Sequence, residues 1–139
     1  MKRIRMISVM LLLVSFIFAG CGAFTFEMIR VGNDTTIEIV NAKDGKEAET
    51  DYFTVGKNEK AVIDASLEKG KLAIDFVEAD VFTHVDAADE IIPGDIVSSA
   101  AVEANDHVEV KLDAEDYIMR IKTMGETSGK VTVKIVKAD

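Results

Sequence analysis

The sequence contains few of the residues that build disulfides, metal sites and aromatic ligand platforms. Its 139 residues include one cysteine, one proline, two histidines, two tyrosines and no tryptophan. One cysteine excludes an intramolecular disulfide, and two histidines argue against a zinc site, which needs about four ligands. Ser98 and Ser99 are adjacent but lie in no GxSxG motif, and the chain has neither a Walker loop nor a GxGxxG fingerprint. We therefore predict a protein without enzymatic activity.

Basic residues are also scarce. The chain has 16 lysines and arginines against 25 aspartates and glutamates, a net charge of −9. The segment 78–116 alone carries 12 acids and a single base, Lys111. Nucleic acids and anionic lipid surfaces are bound through cationic contacts, so this balance argues against both as charge-driven partners.

The N-terminal segment is the exception to this acidity. Lys2, Arg3 and Arg5 precede an uncharged, largely apolar run over 6–19. That run is shorter than the roughly 20 residues that span a bilayer, and it fits the apolar region of a secretory signal. The small residues Ala19 and Gly20, which suit a peptidase cleft, follow the run and precede Cys21.

Phe18-Ala19-Gly20-Cys21 resembles the lipobox of bacterial lipoproteins, although an aliphatic residue is commoner at the place of Phe18. The resemblance covers the first 21 residues. It implies transfer of diacylglycerol to the Cys21 sulfur and cleavage before Cys21. We therefore expect a signal peptide over 1–20, a lipidated cysteine with a short linker over 21–23, and a domain over 24–139. The domain would sit close to the extracytoplasmic face of the cell membrane.

The mature part alternates apolar and polar residues with a period of two, which is typical of half-buried strands. This pattern predicts seven strands. They cover 24–31, 35–40, 60–67, 71–78, 107–112, 116–123 and 130–137. The segment 81–106 mixes patterns: VFTHV and DIVSSAAVE favour strands, DAADEII fits a short helical turn or a loop, and Pro93-Gly94 indicates a turn outside a central strand.

Turn-forming residues separate these strands. Gly32-Asn33-Asp34 predicts a hairpin between the first two, Glu68-Lys69-Gly70 a second hairpin, and the loop 125–129 a third. Short strands with local hairpins and no alternating helices indicate an all-β fold. We predict a single antiparallel β-sandwich of about seven to nine strands after the N-terminal signal segment.

Two weak ligand sites remain open in the sequence. Tyr52-Phe53 is the only aromatic pair that could stack on a carbohydrate, unless one ring faces inward and the other covers an edge. Asp113, Glu115 and Asp116 fall in one turn and offer the oxygen ligands that calcium prefers, although they do not follow the EF-hand spacing. The plainer alternative is a solvated turn with an Asp capping backbone amides.

A protein partner is the leading functional prediction. Lys130, Lys134 and Lys137, with Arg120 and Lys122 on the preceding predicted strand, indicate a basic outer face on an acidic protein. Such a face either protects an exposed edge strand from pairing with another chain, or it contacts an acidic surface. We predict a membrane-anchored, non-enzymatic binding or structural module of the cell envelope with no cofactor; the alternative is a small-ligand module for carbohydrate or calcium.

Overall fold

The structure, a computed structural model, describes the backbone of residues 12–18 and 24–138 and the side chains of 26–138. Within these ranges the chain is all-β, with nine antiparallel strands and no helix. The strands are β1 (Leu12–Phe18), β2 (Phe24–Val31), β3 (Asp34–Ala42), β4 (Glu47–Glu49), β5 (Phe53–Val55), β6 (Glu59–Phe82), β7 (Glu90–Glu103), β8 (His107–Lys111) and β9 (Glu115–Lys137). The predicted all-β antiparallel sandwich is confirmed.

Two long strands, β6 and β9, run through both layers of the sandwich. They pair with each other from Glu59↔Lys137 to Glu78↔Tyr117. The first layer contains β2, β3, the second half of β9, the first half of β6, and β8. The second layer contains β4 and β5, the first half of β9, the second half of β6, and β7.

Both strands bend at glycines, and here two sequence predictions are wrong. Glu68-Lys69-Gly70 does not form a hairpin, because β6 continues through it; the loop predicted at 125–129 is likewise part of β9. The ladder shifts register between Leu67 and Lys71, where Gly70 has φ +81°. The two halves of β6 pair side by side with β9, so the glycines turn the paired strands together from one layer into the other.

The core lies between the two layers and follows the predicted alternation. Ile37 and Ile39 of β3 and Ile63 of β6 come from the first layer; Phe76 of β6 and Met119 of β9 come from the second. All are at most 2 % exposed. At about 25 cal/mol per Å² of apolar surface, burial of this kind is the main favourable contribution to folding.

The segment 81–106, whose pattern is mixed in the sequence, forms the end of β6, a loop and β7. β6 ends at Phe82, a bend occupies 85–87, and β7 begins at Glu90. Pro93 and Gly94 lie inside β7 rather than in the predicted turn. Since β7 ends the strand order of the sheet, the missing N–H of Pro93 is tolerated there, as expected outside a central strand.

The predicted signal segment falls mostly outside the described residues, and so does Cys21. Within it, Leu12–Phe18 pairs with β2 in antiparallel register, from Leu12↔Arg30 to Phe18↔Phe24. Among the described residues no helix has the length and apolar character needed to cross a bilayer. The signal peptide, the lipidation and the domain bounds therefore stay predictions.

Candidate functional site

The Tyr52-Phe53 pair does not form an exposed aromatic platform. Phe53, on β5, is 3 % exposed and packs edge-to-face on Phe76, with ring centroids 6.4 Å apart. Tyr52 is half-buried on the outer side of the second layer, where it covers Val77 and Ile118. One ring thus faces inward and the other covers an outer face, which leaves no flat pair for a sugar.

Arg30 of β2 holds this aromatic segment in place from the opposite layer. Its guanidinium carbon lies 5.9 Å from the centre of the Phe53 ring. The guanidinium donates to the carbonyl oxygen of Asp51 at 3.0 Å and to that of Tyr52. Burial lowers the pKa of Arg30, while the charge of Asp51 acts in the opposite direction. Because the guanidinium is planar and holds its five N–H donors in a fixed geometry, Arg30 ties the two layers together with directed contacts.

The carboxylates Asp113, Glu115 and Asp116 do not converge on one point. The backbone carbonyl of Asp113 accepts the Tyr117 hydroxyl at 2.9 Å, and Asp116 Oδ1 accepts the Thr54 hydroxyl at 2.7 Å. Desolvation, followed by the nearby charge of Glu78, raises the pKa of Glu115. In the part of the chain that the structure describes, no group of three or more His, Cys, Asp or Glu side chains is arranged to hold a metal ion. The geometry therefore does not bring the predicted calcium ligands together.

The predicted basic face is divided between the two layers. On the second layer, Arg120 Nε donates to Glu49 Oε2 at 2.7 Å, and Lys122 Nζ lies 3.9 Å from Glu47 Oε2. On the first layer, Lys130 stands opposite Glu38 in the ladder between β3 and β9. The prediction of one basic outer face is wrong, because the bend in β9 sends its two halves to different layers of the sandwich.

The two histidines lie on separate elements. His107, on β8, stands between Asp64 and Glu109: its Nδ1 is 2.5 Å from Asp64 Oδ1, and its Nε2 is 3.4 Å from Glu109 Oε2. The hydrogen bonds to Asp64 and then to Glu109 raise the pKa of His107. Lys60 Nζ contacts the other Glu109 oxygen at 2.7 Å. His84 follows β6 and lies 3.4 Å from Glu90.

Most of the exposed large apolar side chains of the described chain lie in one stretch of the sequence. Eight large apolar residues of the described chain are exposed, and five of them fall between residues 82 and 97. These are Phe82, Val85, Ile92, Ile96 and Val97, with Val85 99 % exposed. They belong to the end of β6, the following loop and β7, within the acidic block 78–116. Sequence reasoning missed these exposed residues, because only the strand order shows that β7 lies at an edge.

One surface depression of the second layer is open and lined by charged groups. It has a volume of about 630 Å³, and its lining includes Glu47, Glu49, Asp51 and Arg120. Two of these groups, Arg120 and Glu49, already pair with each other at 2.7 Å. Small-molecule sites are usually concave and mostly apolar with a few convergent polar groups, and this depression has a different character.

Comparisons with known proteins give no family and no function. No protein-family model and no curated protein matches the chain. Among solved structures, the Drosophila melanogaster CENP-C cupin domain is 6 % identical with a TM-score of 0.36, covering 91 % of this chain and 75 % of that one. Fe(II) HppE is 9 % identical (TM-score 0.26; 85 % and 54 % covered). A family 11 carbohydrate-binding module from Clostridium thermocellum, in complex with a β-1,3-1,4-mixed-linked tetrasaccharide, is 12 % identical (TM-score 0.25; 93 % and 85 % covered). Similarities this low carry no argument about activity or ligand.

Proposed function

We propose that this protein is a lipid-anchored module on the extracytoplasmic face of a bacterial membrane, and that its β-sandwich binds a protein partner without catalysing a reaction. The observation that carries the partner proposal is the exposure of five large apolar side chains over 82–97. Exposed apolar surface concentrated in one part of a protein favours contact with another macromolecule. The candidate ligand groups elsewhere are either buried, as Phe53 is, or engaged with neighbouring residues.

The anchor proposal rests on the N-terminal sequence. A basic start, a short apolar run and the FAGC motif together resemble a lipoprotein signal. β2 begins at Phe24, three residues after Cys21. At up to about 3.5 Å per residue, this linker would keep the domain within about 10 Å of the lipid. Two acyl chains would hold it stably, whereas one chain holds weakly.

Metabolic lipid labelling of Cys21→Ser tests the anchor. Without the thiol, we expect loss of the label and a shift from processed membrane protein to uncleaved precursor or soluble material. Ser15→Ala, which leaves Cys21 in place, is the control and should be labelled and processed normally. Unchanged labelling of Cys21→Ser would refute the anchor.

Crosslinking in the native envelope, followed by mass spectrometry, tests the partner. The chain is to be crosslinked at its own membrane location and purified under denaturing conditions. One dominant protein adduct, absent from cells that lack the chain, is the expected result. Recovery of glycans without a protein adduct would contradict the proposal and favour the carbohydrate alternative.

A further inference from the structure

The edge strand β7 has one side without a neighbouring strand in the described chain. On its paired side it follows β6 in regular register from Lys71↔Glu103 to Phe76↔Ser98. On the other side its backbone N–H and C=O groups face no strand of the described residues, since β7 ends the sheet order. We infer that the free edge of β7 over 96–102 binds an extended, basic segment of a partner protein as an added strand. This inference rests on the proposed function and names its site.

The first half of β7 is protected against strand addition, whereas the second half is not. Natural edge strands are blunted by proline, bulges or charged side chains, especially lysine. Pro93 lies in the first half, and the ladder between β6 and β7 shifts register twice between Pro93 and Ser98, opposite Ala79 to Phe76. From Ser98 onward the ladder is regular. The segment IVSSAAV over 96–102 has no proline, no glycine and no charge. Over 98–102 the edge therefore carries no proline, charge or register shift to block the pairing of another strand.

The other edges of the described sheet are short, charged or part of the predicted signal segment. β4 and β5 are three residues long, β4 presents Glu47 and Glu49, and β8 carries His107, Glu109 and Lys111. β1 ends the strand order on the other side, and the proposed cleavage before Cys21 would remove it. The edge that would then remain is β2, which carries the charged residues Glu27 and Arg30. Under the proposed function, the second half of β7 is therefore the edge of the described sheet that lacks these protections.

The side chains of this segment allow another strand to approach closely, and they favour one that carries apolar side chains. Ser98, Ser99, Ala100 and Ala101 are small and allow another strand to approach. Ile96 and Val97, at one end, are 54 % and 41 % exposed, which leaves apolar surface for the partner to cover. Val102, at the other end, is 1 % exposed and packed in the core, so it holds the edge rigidly in its extended form.

The acidic residues near β7 favour a basic segment at its free edge over a second copy of the chain. The sequence block 78–116, which contains β7, carries 12 acids and one base. Two copies paired through β7 would bring Glu90, Asp95 and Glu103 of each chain into one acidic surface, and like charges across strands are destabilising. Lysine or arginine on an added strand would instead meet this block with complementary charge.

The first test is binding of a defined peptide to the full-length chain in detergent micelles at low salt. The probe is a short fluorescent peptide that alternates valine with lysine, measured by anisotropy. Two matched peptides separate the contributions: one replaces lysine by glutamate, and the other carries N-methyl groups on alternate backbone amides. We expect each to bind at least tenfold more weakly. Equal binding of the N-methylated peptide would overturn strand addition.

The second test compares two alanine-to-lysine variants with the same change in net charge. Ala101→Lys places a cation on the free edge, and Ala114→Lys places one in the loop between β8 and β9 in the same acidic block. Both residues are exposed, so both variants should melt close to the unchanged chain. We expect at least tenfold weaker peptide binding for Ala101→Lys alone. An equal loss in both variants would show that charge, and not the edge, binds the peptide.

A third test separates this inference from the proposed function. A photo-crosslinking amino acid is placed at Val97, on the β7 edge, or at Thr36, on the outer face of β3. A protein adduct from Val97 that Thr36 does not give is the expected result. An adduct from Thr36 alone would overturn the β7 site and leave the proposed function standing. Adducts from neither position would overturn the β7 site, and they would contradict both only if crosslinking of the unchanged chain in the native envelope also gave no protein adduct. A Val97 adduct between two copies of the chain would overturn the basic partner.

Discussion

Gly70 lies against Thr127 with no room for a side chain between them. A β carbon at Gly70 would overlap the Thr127 hydroxyl and the Glu126 carbonyl oxygen, and it would lie 2.7 Å from Thr127 Cα. Here β6 and β9 bend side by side from one layer of the sandwich into the other. The two backbones thus approach each other closely at the point where both strands bend.

Gly70→Ala should destabilise the protein more than Gly125→Ala. Both glycines have nearly the same backbone angle, φ +81° and φ +79°, but nothing lies within 4 Å of a β carbon at Gly125. The positive φ alone costs about 1–2 kcal/mol for alanine. Only at Gly70 is a collision with backbone atoms added, so urea unfolding should show a clearly larger loss there. Equal losses would mean that the close approach contributes nothing.

Arg30→Lys should cost about 2 kcal/mol, although the positive charge is kept. Lysine cannot both donate to the two carbonyl groups and lie flat over the Phe53 ring. Arg120→Lys is the control. Arg120 forms a surface ion pair with Glu49, and its side chain is 40 % exposed. Exposed ion pairs of this kind contribute less than about 1 kcal/mol to stability. Chemical denaturation of both variants measures the difference. A loss at Arg30 no larger than at Arg120 would contradict the inter-layer role of Arg30.

The domain should lose stability at alkaline pH, because the hydroxyl of the buried Tyr117 ionises there. Burial, followed by the charges of Glu115 and Asp113, raises the pKa of Tyr117 to about 12. An unfolded tyrosine has a pKa of about 10. Since the folded pKa is the higher one, the contribution is complete below pH 10 and is lost as the pH rises towards 12. Tyr117→Phe should flatten this part of the stability–pH curve and cost about 1 kcal/mol at neutral pH through the lost bond to the Asp113 carbonyl.

Asp64→Asn should lower the pKa of His107 in a proton NMR titration. The hydrogen bond to Asp64 is the largest cause that raises this pKa, ahead of the bond to Glu109. In the unchanged chain the folded pKa lies above the ordinary value, so this contribution to stability is complete below about pH 6.5 and is lost as the pH rises through the folded pKa. Asp75→Asn, on the other layer, should leave the His107 titration as it is. A His107 pKa that does not respond to Asp64→Asn would show that the pair does not form in solution.

Strand faces could be predicted from the sequence wherever the period of two is unbroken. Ile37 and Ile39 were expected on one side of their strand, and both are buried. The hairpin at Gly32-Asn33-Asp34 was also predicted correctly, with Val31 opposite Asp34. These features are local, since alternation and a glycine with positive φ act within a few residues.

The sequence by itself determined that this chain is antiparallel β with alternating inward side chains, because the side-chain period of a strand is a local property. Whether a glycine reverses the chain or only bends it was decided by the tertiary structure: at Gly70 the strand continues, since β9 pairs with β6 on both sides of the bend. The position of β7 at an edge is likewise a property of the strand order. The uncharged stretch at 96–102 is visible in the sequence, but its exposure depends on which strands occupy the neighbouring places, and those contacts join residues far apart in the chain.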